Sequence, residues 1–428
     1  MTAVLAVGLL ILLALGIPVA ATLLALALLV DQAFSPFPLH RALGEVLWSA
    51  SDSFLLVAIP MFILMGEILV RAGVARRTYD ALEAWVSWLP GGLLHANIAS
   101  ATLFSATSGS SVATAATIST VALPQARPLG YDERLFAGSI AAGGTLGIMI
   151  PPSINLIVYG FLTETSIPRL FMAGLVPGLG LALLFMLGTA RRCALAPALG
   201  GPRRRRPWRD RWWGLLDLLP VAGLFTLVVG AIYGGFATPT EAASLGVVAA
   251  LGLAIAVGRL RWSTLATALE STMRTTAMIL LIIISAYFLN FTLASSGVTG
   301  QLAELVAASG LSPYQTLGLV VCLYIVLGFF IETLSLMVIT IPVVAPVMVN
   351  LGFDPVWFGI LLIVLIEMAL ITPPVGLNLY VVQGVRQRGA LSDVMVGAIP
   401  YVILMLVMVG LLVVFPNLAL GLPAWINR

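Results

Sequence analysis

The chain has 428 residues, of which 60% are hydrophobic and only 9% charged, with a net charge of +3. Soluble domains carry roughly a quarter of their residues as charges, so this composition excludes a protein with a water-facing polar surface. The basic residues are all arginine and the net charge is small, which gives no basic surface suited to nucleic acid.

Apolar runs of about 20 residues, the length a bilayer crossing needs, recur along the whole chain. Spans are predicted at about 3–30, 53–70, 132–164, 170–190, 214–236, 238–258, 277–294, 355–386 and 393–417. The first run, Val4 to Val30, is too long and lacks the basic leader of a cleaved signal, so it reads as a retained span. Two more regions, about 92–126 and 313–350, are apolar but interrupted in the middle by small or polar residues. Each is long enough to enter the bilayer and return. Residues 40–52, with Trp48, and Trp262 to Thr276 mix apolar and polar side chains and read as helices lying in the interface.

The loop from Arg191 to Arg211 holds Arg191, Arg192, Arg203, Arg204, Arg205, Arg206, Arg209 and Arg211, and a loop of this kind stays in the cytoplasm. With the two interrupted regions treated as re-entrant hairpins, Arg71, Arg76, Arg77, Arg127, Arg134, Arg259, Arg261, Arg274, Arg386 and Arg388 fall on the same side. The count is then 18 arginines inside against 3 outside, namely Arg41, Arg169 and Arg428. Full crossings at 92–126 or 313–350 would destroy that asymmetry.

A repeat underlies the pattern. Leu129-Gly130-Tyr131-Asp132 matches Leu351-Gly352-Phe353-Asp354 at an offset of 222 residues, as Pro124 matches Pro346 and Pro151-Pro152 matches Pro373-Pro374. Ser110-Ser111 aligns with Glu332-Thr333. Beyond the double prolines an insertion makes Asn155 and Asn378 approximate partners. Residues 1–190 form one repeat and 238–428 the other, joined by the arginine-rich loop and a connecting helix at 191–237. Because 132–164 runs outward and 355–386 inward, the repeats are inverted. The predicted fold is an all-α integral membrane protein with two re-entrant hairpins and two broken transmembrane helices. Inverted repeats with discontinuous helices point to a secondary transporter with its site at mid-membrane.

The breaks carry the chemistry. The first hairpin tip, Ser105-Ala106-Thr107-Ser108-Gly109-Ser110-Ser111-Val112, is rich in hydroxyls, and a turn at membrane depth leaves carbonyls and amides without helical partners. Carbonyl and hydroxyl oxygens suit Na⁺, and the N-terminus of the returning half-helix suits a carboxylate. Small residues also let helices pack closely, and that reading fits Thr114 and Thr117 better. In the second tip, Gly328 to Ser335, Glu332 is a carboxylate in an apolar stretch, placed both to cap the returning half-helix and to line a site. The double prolines remove backbone donors and free carbonyls around Thr145 to Ile150 and Met368 to Thr372. Of the other acids, Glu67 pairs with Arg71 one turn away, Glu241 follows a break near the surface, and Glu367 sits in the second broken span without an assigned role. His40 and His95 are isolated and read as interfacial. Cys193 and Cys322 are far apart and imply no disulfide. No nucleophile elbow, metal-ligand cluster or phosphate-cradling loop occurs, so no enzyme is predicted. A non-transporting membrane scaffold and a standalone carboxylate symporter remain as rivals.

Three motifs, Thr107 to Thr120 (TSGSSVATAATIST), Gly144 to Gly160 (GTLGIMIPPSINLIVYG) and Ile371 to Gly384 (ITPPVGLNLYVVQG), together resemble the large membrane subunit of tripartite ATP-independent periplasmic (TRAP) transporters. The likeness covers essentially the whole chain. It implies Na⁺-driven symport of organic acids, often carboxylates, across a bacterial inner membrane. It further implies a soluble periplasmic substrate-binding protein, a separate small four-helix membrane subunit and an elevator motion. Carried over by motif, the Na⁺ ligands are Ser108, Gly109 and Ser110 with Thr145, Gly147 and Pro151, and Glu332 and Thr333 with Met368, Thr372 and Val375. The substrate candidates are Ser110, Ser111, Ser153, Asn155, Thr333, Gly376 and Asn378.

Overall fold

The computed structural model describes residues 7–9, 11–13, 15–35, 37–202, 207–297, 300 and 310–426. Arg203, Arg204, Arg205, Arg206 and Arg428 therefore lie outside the described residues. Among those described, every named element is a helix, and Tyr131 and Gly200 form an isolated bridge. Seven helices are long and apolar enough to cross a membrane, and an eighth span results if a pair bent by 43° is counted as one. The chain is thus an all-helical integral membrane protein.

The first apolar run is not one span. It breaks at Leu15–Pro18, where Gly16 takes φ +74° and Pro18 lacks an N–H, before α1 (Val19–Phe34) begins. A short α2 (Leu43–Ser51) carries the exposed Trp48 and leads to α3 (Ala58–Arg71). The next helix, α4 (Val74–Val86), falls where no element is predicted. Its apolar face is buried by its neighbours, a placement that its low average hydrophobicity conceals.

The first interrupted region forms a helical hairpin, α5 (Leu93–Ser108) and α6 (Ser111–Ala126), turned by Gly109 at φ +58°. Its two outer ends lie together: Leu93 N–H donates to the Tyr131 hydroxyl, and Arg127 ion-pairs with Glu133. The following span breaks into α7 (Glu133–Met149) and α8 (Ile154–Leu162). Pro151 and Pro152 explain the break, because they supply no donors and hold Ile150 in an extended conformation. Next come α9 (Ile167–Leu195), α10 (Trp208–Tyr233), α11 (Pro239–Ala256) and α12 (Trp262–Ser295). The predicted interfacial segment Trp262 to Thr276 is continuous with the following span as one helix of 34 residues. Its lack of glycine or proline gives no point at which to break.

The second interrupted region is also a hairpin, α13 (Pro313–Leu327) and α14 (Thr333–Asn350). Tyr314 packs on Phe353, which stacks on Trp357, so both of its outer ends lie beside the start of α15 (Pro355–Ala369). The second broken span then continues as α16 (Leu377–Arg386), followed by α17 (Leu391–Val414) and a short α18 (Asn417–Ile426).

Contacts at the two ends of the bundle fix the directions. At one end Glu133, which opens α7, binds Arg386, which closes α16, at 2.8 Å. At the other, the Tyr159 hydroxyl of α8 donates to the Pro355 carbonyl of α15 at 2.7 Å. The two broken helices are therefore antiparallel. Their first halves, α7 and α15, are buried along nearly their whole length and form the core of the bundle, whereas α16 buries only Asn378, Leu379 and Val382. Asp132 and Asp354, 222 residues apart, cap α7 and α15 by accepting from the first-turn amides.

Glycines set the closest approach. A Cβ at Gly397 of α17 would lie 1.8 Å from the Arg134 carbonyl oxygen of α7, and one at Gly138 would lie 2.1 Å from Gly397. Gly397→Val is expected to separate these helices and abolish the folded species, read as loss of the monodisperse peak in detergent size-exclusion chromatography. Gly410→Ala, where a Cβ meets nothing within 4 Å, is the matched control and keeps that peak.

Candidate functional site

Two hairpin tips and two helix breaks meet inside the bundle. Tip 1 presses on the first break: a Cβ at Gly109 would stand 3.1 Å from the Pro152 carbonyl, and one at Gly147 would stand 2.8 Å from the Ser110 carbonyl. Tip 2 presses on the second break in the same way, since a Cβ at Gly328 would lie 2.2 Å from the Ala369 Cβ. Each tip thus sits on its own break, with glycine at each point of closest approach.

Between them lies a cavity of about 620 Å³. Ser108, Gly109, Ser110 and Ser111 of tip 1, Glu332 and Thr333 of tip 2, and Asn155 line it. Five helices begin at its wall, with Val19, Ser111, Ile154, Thr333 and Leu377 each the first residue of its helix and each lining the cavity. Their positive dipole ends are thereby brought to one volume.

The caps differ in a telling way. Ser110 and Ser153 cap α6 and α8 by accepting from Ala113 and Leu156 amides. Glu332 caps α14, taking the Leu334 N–H at 3.1 Å and the Ser335 N–H at 2.6 Å, with the Ser335 hydroxyl as a further donor. Glycine stands at the start of α16, where Gly376 at φ +48° leaves the first turn without a side-chain cap. Asn155, almost fully buried, directs an Nδ2 with no partner in the chain. The cavity therefore carries donors not consumed by the fold.

Not every predicted residue reaches this volume. Thr145 is buried behind the first break, where its hydroxyl donates to Ala142 O. Thr372 donates to the Met368 carbonyl at 2.6 Å, and Val375 is partly exposed. Pro151, Ser153, Gly376 and Asn378 also lie outside the cavity lining. Asn378 is fully buried, its Nδ2 donating to the Ala141 carbonyl at 3.2 Å, and Leu377 lines the wall in its place. The insertion after the second double proline is taken up in the break, since Asn155 and Asn378 are each the second residue of their helix and Ile154 and Leu377 both line the wall.

Some of the wall was not anticipated. Pro18, Val19 and Ala20 come from the broken first run, and Gly66 and Glu67 from α3. The Gly16-Ile17-Pro18 sequence carries the signal for the first of these. A Cβ at Gly66 would lie 3.1 Å from the Ser108 Cα, so α3 meets tip 1 backbone to backbone. Glu67 does pair with Arg71, which also donates to the Ser271 hydroxyl of α12 at 3.0 Å. Glu241 caps α11 in a capping box with Thr238. The two histidines are not alike. His40 pairs with Asp31, whereas His95 is fully buried beneath the 90–92 turn, with Nε2 at 2.8 Å from the Pro90 carbonyl.

An all-helical membrane bundle whose helix breaks and hairpin tips meet at a cavity where several half-helices begin is the architecture of a transport protein rather than of an enzyme. Its family follows from comparison with known proteins. Residues 6–418 match the model of the DctM component of tripartite ATP-independent periplasmic transporters, and the chain belongs to that family. The C4-dicarboxylate TRAP transporter large permease protein DctM of Pseudomonas aeruginosa is 37% identical over 92% of both chains. The sialic acid TRAP transporter large permease protein SiaM of Vibrio cholerae is 31% identical over 95% of both. The YdaH transporter of Alcanivorax borkumensis shares the fold, with a TM-score of 0.61 at 17% identity over 93% of this chain and 97% of that one.

Glu332→Ala removes the cap of α14 and is expected to destabilise that helix start by about 1–2 kcal/mol. Hydrogen exchange checks it, with faster exchange expected at Leu334 and Ser335 and no change at Ala113 of tip 1.

Proposed function

We propose that this chain is the transporting subunit of a Na⁺-coupled importer of C4-dicarboxylates or related organic anions. In this reading it works in a bacterial inner membrane with a small permease subunit and a periplasmic substrate-binding protein. The convergence of five helix N-termini on one cavity carries the reading. Among the described residues no arginine lines that cavity, while Glu67 and Glu332 do. Amides and dipole ends must therefore supply the attraction for a carboxylate, each helix end contributing roughly 0.3–1 kcal/mol. Asn155 Nδ2 is a further donor for that anion.

The cation follows from the other half of each break. α5 and α7 end at tip 1 and the first break, and α13 and α15 at tip 2 and the second. Ends of that polarity present carbonyl oxygens, the ligand type Na⁺ takes. Gly147, flush against the Ser110 carbonyl, and the hydroxyls of Ser108 and Thr114, 2.7 Å apart, give the first tip an oxygen-rich lining. A cation there offsets the repulsion between an anionic substrate and the cavity's two acids. Each Na⁺ entering down 100 mV supplies about 2.3 kcal/mol.

The antiparallel broken helices, and hairpins whose ends return to the side they left, support inverted repeats and re-entrant hairpins. The end of the bundle holding Arg127, Arg134, Arg386 and Arg388 is then the cytoplasmic one. Because each tip is fused to its own break, tips and breaks move as one body in an elevator step past α3 and α12.

The test is uptake of labelled succinate into proteoliposomes holding the chain with its small subunit, with the periplasmic protein added outside. Accumulation that needs an inward Na⁺ gradient is expected. Uptake indifferent to Na⁺ overturns the coupling, and uptake without the periplasmic protein favours a standalone symporter. Gly147→Ala is expected to cut the initial rate at least tenfold, since its Cβ intrudes on tip 1.

A further inference from the structure

Glu367 has no role in the site described so far. It lies on α15, fully buried, in the second half of the chain. Its Oε2 accepts a hydrogen bond at 2.5 Å from the hydroxyl of Ser111, the first residue of α6 in the other half. Its Oε1 has no partner in the chain. Among the described residues no arginine or histidine ion-pairs with it. Other acids of this protein are spent on the fold: Glu332 on the α14 amides, Glu133 on three arginines, Glu241 on a capping box.

A second unused oxygen belongs to Asn378. Asn378 is fully buried, its Nδ2 held by the Ala141 carbonyl, and its Oδ1 is unpartnered. Gly144 brings these groups together, because a Cβ there would lie 3.0 Å from Asn378 Nδ2 and 3.2 Å from the Ser111 carbonyl oxygen. Ser111 is thus the common neighbour at the junction of the two halves, its hydroxyl on Glu367 and its carbonyl across Gly144 from the Asn378 amide. An ionised carboxylate buried with one hydroxyl partner costs several kcal/mol unless a positive charge joins it. The set is oxygen-only with a single negative charge, which suits a hard monovalent cation; dedicated divalent sites gather more carboxylates.

We propose that Glu367, Asn378 and Ser111 form a Na⁺ site of their own, distinct from the two sites at the tip–break contacts. It rests on the Na⁺-coupled reading above and adds to it. A cation at this position ties α15 of the second half to the first residue of α6, so that loading at tip 1 is felt across the repeat boundary.

The experiment measures ²²Na⁺ binding to the purified protein and the Na⁺ dependence of uptake by the reconstituted complex. Glu367→Gln keeps size and a hydrogen-bonding partner for Ser111 but removes the charge. It is expected to bind one Na⁺ fewer than the wild type and to raise the half-maximal Na⁺ concentration about tenfold or more. Asn378→Leu, which leaves the carboxyl untouched, is expected to shift the same two readings. Unchanged Na⁺ stoichiometry and dependence in either variant, with a wild-type elution profile, overturns the site and leaves Glu367 as a structural or proton-bearing group. A wild type that binds no Na⁺ fails the coupled reading itself, a result distinguishable from failure of this site alone.

Discussion

Backbone groups released at helix breaks in the middle of the bundle are the constraint on which the rest depends. An interrupted helix within an apolar environment exposes amides on one side of the gap and carbonyls on the other, and neither finds water there. The protein answers by bringing its interruptions together. Gly109 lets tip 1 settle on the Pro152 carbonyl, and Gly328 lets tip 2 settle on Ala369. What the fold leaves unused, at the uncapped start of α16 and on Asn155, faces the shared cavity. The same interruptions that would destabilise an ordinary bundle are in this way gathered around one cavity.

Such a cavity needs a rigid frame. The two broken helices supply it by running antiparallel, with their first halves α7 and α15 buried on all sides. Glycine pairs such as Gly138 with Gly397 permit approaches that a side chain would forbid. At one end Glu133 and Asp393 gather Arg127, Arg134, Arg386 and Arg388 into a network, and the charge cluster ties the start of α7 to the end of α16. Ion pairs gain more in such a network than singly. The frame and the cavity are therefore products of one arrangement, in which both halves contribute a tip, a break and an end.

Much of this was written in local sequence. Composition set the membrane, double prolines set both breaks, and Gly109 set the first turn, because each acts through the backbone of its own neighbourhood. The 222-residue offset even located equivalent caps, Asp132 with Asp354 and Ser110 with Glu332. Local chemistry was read too narrowly at Gly16–Pro18, where a long apolar run concealed a break, and too freely at Trp262, where the helix continues without one.

Other features had no local signature. Glu367 and Ser111 are 256 residues apart, and their hydrogen bond exists only because the halves interlock. Asn155 and Asn378 look equivalent in sequence and each is the second residue of its helix, yet one reaches the cavity and the other is held by Ala141. The sequence by itself determined where the chain must break and that it must lie in a membrane, because propensity and hydrophobic length are local quantities. Only the tertiary structure decided which broken ends share one cavity, because that depends on close packing between segments far apart in the chain.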